Sequence, residues 1–122
     1  MQAEDAVRVR HMIDAVEDAM EFVSTRSRAD LEKDKMLQFA LVRAIEVLGE
    51  AAGKVSAAGR TELPLLPWAA ITGMRNRLVH VYFDMDLDIL WVTAIKALPE
   101  LRVREPRGKT CLTSYCSILA EI

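Results

Sequence analysis

Between Asp34 and Gly53 the chain carries apolar residues on two sides of one helix. Leu37, Leu41, Ala44, Ile45, Leu48 and Ala52 form one stripe, and Met36, Ala40, Val47 and Ala51 form a second. A stripe that recurs every three to four residues is buried against a neighbour. Two stripes need neighbours on two sides, which makes this segment the central helix of a bundle. The sequence before it supplies one cover. From Ala3 to Val23, the residues Val9, Met12, Ile13, Val16, Met20 and Val23 recur at helical spacing, with Arg8, Arg10, Asp14, Glu17, Asp18 and Glu21 between them. That is a long amphipathic helix. STRSRAD interrupts the period, and Asp30 is the expected N-cap of the central helix, with Glu32 and Asp34 in its first turns and Gly53 at its end.

VSAAGRTELPLLP reads as a loop from its Gly, Ser and Pro content. Pro67 suits the first turn of a third helix that is expected to run through WAAITGMRNRLVH. Asp84 or Asp86 then caps a fourth, whose Leu87, Leu90, Trp91, Ala94, Ile95 and Leu98 share one stripe. Pro99 and Pro106 bracket ELRVRE, which has room for a turn or two of helix, and PRGKTCLTSYCSILAEI shows no clear period. Strand-type alternation is absent outside that tail. The expectation is an all-α antiparallel bundle of four to five helices. At 122 residues it is expected to be a single domain over 1–122.

Composition narrows the function classes. With 52% apolar and 28% charged residues the chain is globular, and a net charge of −2 supplies no global basic field for nucleic acid. Any phosphate-binding surface is therefore local. No apolar run approaches the ~18 residues that span a bilayer, and MQAEDAVRVR lacks the basic-then-apolar layout of a signal peptide, so a cytoplasmic location is expected. In that reducing compartment Cys111 and Cys116 are expected to be free thiols.

The segment MRNRLVHVYFDMDLDILW concentrates polar chemistry in this apolar background. On a helical wheel from Trp68 to His80, the residues Trp68, Ile71, Met74 and Leu78 form the core stripe, Arg75 falls inside it, and Asn76 and His80 stack on the adjoining flank. An arginine on an apolar face needs an acidic partner or a phosphate. Glu46 and Glu50, one turn apart on the central helix, are the expected partners. A structural ion pair for Arg75 and a capping or core role for His80 explain each residue singly. Taken with Asn76 and Tyr82, they mark a polar pocket at the end of the third helix.

Other chemistries fit poorly. The two histidines, His11 and His80, are far apart, Cys111 and Cys116 form no zinc pattern, and neither GEAAGK nor AAGR has P-loop spacing. Asp84, Asp86 and Asp88 lack the glycine and closing glutamate of a calcium loop and read as a helix cap plus a solvated face.

RNRLVHVY, Arg75 to Tyr82, matches the R-x-x-x-x-H-x-Y signature of the HepT-like toxins, a branch of the HEPN superfamily of helical ribonucleases. ALVRAIEVLGEAAGK and LPWAAITGMRNRLVHVYFDMDLDILW resemble the family as well, so the likeness covers about residues 5–101 and leaves 102–122 as an atypical tail. The resemblance implies a HEPN-like fold and a metal-independent endoribonuclease toxin without a cofactor, acting on RNA as a homodimer with a composite cleft. Catalytic roles for Arg75 and His80 follow, and the helix-face reading adds Asn76, Glu46 and Glu50 as expected supporting residues. The resemblance also implies that Tyr82 is the residue a cognate nucleotidyltransferase antitoxin of the MntA type modifies with AMP. On one helix Arg75 and His80 would stand ~140° apart, a second reason to expect two chains at the site. The competing reading is a non-catalytic HEPN-type bundle that binds nucleotide or serves as a protein-partner module, with Arg75 purely structural.

Overall fold

A computed structural model of the chain describes residues 1–81 and 84–102, with the side chains of 75, 77–81, 84, 85 and 102 outside that description. Its elements run in the order α1 (Ala3–Val23), α2 (Arg28–Lys33), α3 (Lys35–Gly53), α4 (Ala57–Glu62), α5 (Trp68–Leu78), β1 (Val79–Val81), β2 (Asp84–Met85), α6 (Leu87–Val92), a wide π turn (Thr93–Ala97) and α7 (Leu98–Arg102). The all-α expectation holds, with one short antiparallel strand pair set into it.

Helix α3 is central, packed along α1 on one flank and α5 on the other. Leu37, Leu41, Ala44, Ile45, Leu48 and Ala52 are all buried, as their shared stripe requires. The second stripe is only partly covered: Ala51 is buried, Ala40 and Val47 are half-buried, and Met36 is 82% exposed. Opposite α3, α1 buries Val9, Met12, Ile13 and Val16, and α5 buries Ile71 and Met74. At ~1.5–3 kcal/mol per large apolar side chain, this shared contact dominates the stability of the fold.

Several boundaries differ from the sequence expectation, each for a local reason. The central helix does not start at Asp30. Ser27 caps α2 instead, accepting from the Asp30 amide at 3.2 Å, while the Asp30 carboxylate accepts from the Ser27 amide at 2.8 Å, which makes a capping box. The Ser27 amide first, and then the Ser27 hydroxyl, hold the Asp30 carboxyl below its ordinary range. Asp34 then turns the chain with φ −114° and ψ 99° and caps α3, accepting from the amides of Met36 and Leu37. The expected loop after Gly53 contains α4, capped by Ser56, whose hydroxyl accepts from the Gly59 amide at 3.1 Å. Pro67 sits just ahead of α5, its carbonyl accepting from the Ile71 amide at 3.0 Å. Of the two candidate caps of the fourth helix, Asp86 serves, and Asp84 lies in β2.

The third helix stops at Leu78 rather than His80. Val79 and Val81 are β-branched and favour extended backbone. They enter β1, which pairs with β2 in the register Val79 to Met85 and Val81 to Asp84. Farther on, the Leu98 amide donates to the Thr93 carbonyl, a wider span than an α-turn. Pro99 has no N–H for the Ile95 carbonyl and its ring would collide with it in a regular helix, so a widened turn just before Pro99 relieves both problems. Leu90, Ala94 and Leu98 remain buried across that turn, whereas Ile95 is left partly exposed.

The start of α1 is fastened to α4 by Asp5, which is buried. Its carboxylate accepts from the Ser56 amide at 2.9 Å and from the Ser56 hydroxyl at 2.5 Å. A side chain at Gly59 would place its Cβ 2.7 Å from Asp5 Oδ2 and 2.9 Å from Val55 Cγ1, so only glycine leaves room for the contact. The Ser56 hydroxyl and then its amide hold the Asp5 carboxyl below the ordinary value of 3.8, against the opposing cost of burial. The folded pKa lies below the unfolded one, so this contribution is complete above the unfolded value near ~3.9 and is lost as pH falls through the lowered folded value. Asp5→Asn should therefore melt below wild type at neutral pH, and the gap should narrow as the pH approaches ~2. A gap that is constant with pH in thermal melts would show that the Asp5 charge adds nothing.

Candidate functional site

The residues singled out in the sequence fall at the α3/α5 contact and just beyond it. Glu46 and Glu50 lie one turn apart on α3, and Thr72 and Asn76 lie one turn apart on α5. With Gly49, these four side chains line an open cavity of about 180 Å³ between the helices. Gly49 contributes by being small. A Cβ there would lie 3.5 Å from the Ile71 carbonyl oxygen and 3.8 Å from that of Thr72, an ordinary contact, and a longer side chain would fill the space.

The cavity is polar and mostly acidic. Asn76 and Glu50 are exposed, and Glu46 is 25% exposed with its Oε2 3.5 Å from Arg43 Nη1, one turn earlier on the same helix. The Thr72 hydroxyl donates back to the carbonyls of Trp68 and Ala69, both at 3.1 Å, so its proton is committed within α5. What faces an incoming group is one amide that both donates and accepts, together with two carboxylates. Such a wall orients a cation or a donor rather than gripping a bare phosphate.

Arg75 sits beside Asn76 on α5, and its side chain lies outside the described residues. His80 belongs to the strand β1, not to the helix, so the expected stacking of Asn76 and His80 one turn apart does not occur by helical geometry. The ~140° separation drawn for Arg75 and His80 on one helix lapses with it. Tyr82, Cys111 and Cys116 lie outside the described residues. Glu46, Glu50 and Asn76 line one cavity, whereas the expected pairing of Glu46 and Glu50 with the Arg75 side chain, and the side chains of His80 and Tyr82, lie outside the described residues. Thr72 and Gly49 were not anticipated. Thr72 precedes Asn76 by four residues and Gly49 follows Glu46 by three, so helical spacing from the chosen residues would have found both.

The acidic run after β1 has a structural account. Asp86 accepts from the amides of Asp88 and Ile89, and Asp88 accepts from Arg28 Nε at 3.0 Å, tying α2 to α6. Among the described residues no three His, Cys, Asp or Glu side chains are grouped to hold a metal ion. None of the described helices is long and apolar enough to cross a membrane.

Residues 12–104 match the family described as HepT-like ribonuclease. Among curated proteins the chain is 37% identical over 93 residues to "Putative RNase TTE0752" of Caldanaerobacter subterraneus subsp. tengcongensis, covering 76% of this chain and 83% of that one. It is 35% identical over 89 residues to "Probable ribonuclease HepT" of Thermococcus cleftensis, covering 73% and 81% of the two chains. It is 30% identical over 91 residues to "Putative RNase MJ1380" of Methanocaldococcus jannaschii, covering 75% and 84%. No solved structure matches the chain. The matched span contains α3, α5 and the whole of RNRLVHVY, so the segments that build the cavity lie within the family match. The chain belongs to the HepT-like ribonuclease family and is an RNase of the HEPN type.

Proposed function

We propose that this protein is a metal-independent endoribonuclease toxin of a toxin-antitoxin pair, cutting RNA through attack of its own 2′-hydroxyl. The observation that carries this reading is the cavity that joins Asn76 to Glu46 and Glu50 on the helix bearing Arg75, in a chain of a ribonuclease family. RNA holds an internal nucleophile. Cleavage then needs a group that moves protons and a cation for the charge that builds on phosphorus. His80 is assigned proton transfer, for which imidazole is suited near neutral pH. Arg75 is assigned the grip on the phosphate oxygens, for which the planar guanidinium is suited. Glu46 and Glu50 are positioning residues that hold the guanidinium, and Asn76 orients the imidazole or donates to the phosphate.

The homodimer with a composite cleft rests on the family likeness, since the helical-wheel argument for a second chain ends where α5 ends. The likeness also supports AMP transfer to Tyr82 by a nucleotidyltransferase antitoxin, which would set a negative phosphate beside the cleft and repel RNA.

Purified protein should cut RNA in the presence of a chelator and leave 2′,3′-cyclic phosphate ends. His80→Ala should abolish cutting with helicity retained. Asn76→Ala and Glu50→Gln, both at exposed positions, should slow cutting while changing stability by no more than about 0.5 kcal/mol. Absolute dependence on magnesium would sink the mechanism, and a folded protein that never cuts RNA would return the chain to a nucleotide-binding or partner module. For the composite cleft, mixing an Arg75→Ala chain with a His80→Ala chain should restore some cutting, and no recovery despite proven subunit exchange would count against it.

Co-expression with a cognate nucleotidyltransferase should add the mass of AMP to the peptide holding Tyr82 and relieve growth inhibition. Tyr82→Phe should stay toxic beside that partner. If the partner silences Tyr82→Phe as well as wild type, simple binding rather than modification is the brake.

A further inference from the structure

We propose that the groove between α1 and α3 docks an amphipathic helix of a basic partner protein. This groove lies on the α1 flank of α3, away from the α3/α5 cavity, and has a volume of about 300 Å³. Its floor is apolar, formed by Ala15, Ala40, Ala44 and Val47, with Phe22 at one end. Phe22 is 36% exposed, and along the outward edge of α3 Met36 is 82% and Phe39 60% exposed. Phe22 lines the groove, and Met36 and Phe39 stand one helical turn before its lining residues Ala40 and Arg43, so the apolar exposure continues along α3 from the groove and marks an interaction surface.

Charge selects the occupant. His11, Asp14 and Asp18 line the groove from α1, and beyond the end that carries Arg10 and His11 the carboxylates prevail, with Glu17 and Glu21 flanking Asp14 and Asp18 and no basic residue from Asp14 to Phe22. Among the described residues none of these four carboxylates takes part in an ion pair. The groove's one arginine, Arg43, is already paired with Glu46. An anionic wall beside an apolar floor fits a helix with apolar anchors at three- and four-residue spacing and lysine or arginine along its flank. RNA is repelled by the same wall. A second copy is the weaker fit. Among the described residues a second exposed apolar helical edge, Ile89, Val92 and Ile95, is flanked by Asp88 and Glu100 against Lys96, so it does not offer the basic flank that the groove's carboxylates call for. The inference does not rest on the ribonuclease reading: no residue assigned to RNA cleavage lines the groove, and Glu46 enters only as the ion-pair partner of Arg43.

The test uses the full chain and two synthetic amphipathic helices, one of leucine and lysine and one of leucine and glutamate, followed by fluorescence anisotropy. The leucine-lysine helix should bind at least about tenfold more tightly, and its affinity should fall with added salt. Asp14→Lys with Asp18→Lys should weaken it at least about tenfold, and Phe22→Ser alone should weaken it without a change of charge. Glu4→Lys with Glu100→Lys, the same charge change at exposed sites away from the groove, should leave binding within about twofold. Equal binding by all variants would reduce the effect to bulk charge and overturn the proposal. Sedimentation showing wild-type oligomers that Asp14→Lys with Asp18→Lys converts to monomers would give the groove to a second copy instead. Displacement of the leucine-lysine helix by labelled RNA would give it to nucleic acid.

Discussion

Everything in this molecule hangs on the burial of α3 from two sides. Leu41, Ile45 and Ala52 are fully enclosed, and α3 packs along both α1 and α5. A helix apolar on one side only could be satisfied by a hairpin of two helices. α3 instead contacts both α1 and α5, and the polar residues that α5 carries on its other positions are held next to the polar edge of α3. The cavity is a by-product of that packing: the helices touch through Ile71 and Met74, and at Gly49 no side chain intervenes.

The change from helix to strand after Leu78 alters how the family motif is understood. On a continuous helix, Arg75 and His80 would diverge around the axis. In a strand, successive residues alternate sides and each advances about 3.3 Å, roughly twice the helical rise. His80 is thus carried away from Asn76 along a new direction set by the pairing of β1 with β2.

The elements set by long-range burial were readable, and those set by local competition were not. The stripe from Val9 to Val23 defined α1 to the residue, and the stripe from Leu37 to Ala52 identified the central helix, because each periodic signal spans several turns. Ser27, Asp30 and Asp34 are all good caps within eight residues, and the sequence alone does not rank them. The chain uses Ser27 and Asp34 as caps and Asp30 as the return contact of the box. Helix α4 is six residues long, too short for a period, and is held by Ser56, Gly59 and the distant Asp5. At the candidate site, Glu46, Glu50 and Asn76 were legible from periodicity because all three sit on regular helices. His80 was misplaced because the wheel was extended past the last residue that obeys it.

Arg43 occupies the one position that touches both surfaces of α3. It lines the groove toward α1, and its guanidinium reaches Glu46, which lines the cavity toward α5. An exposed pair of this kind, one turn apart on a helix, contributes little to stability, on the order of 0.3–0.5 kcal/mol. It therefore rearranges at little cost. Among the described contacts, the Arg43–Glu46 pair links a residue of the groove with a residue of the cavity across one turn of α3.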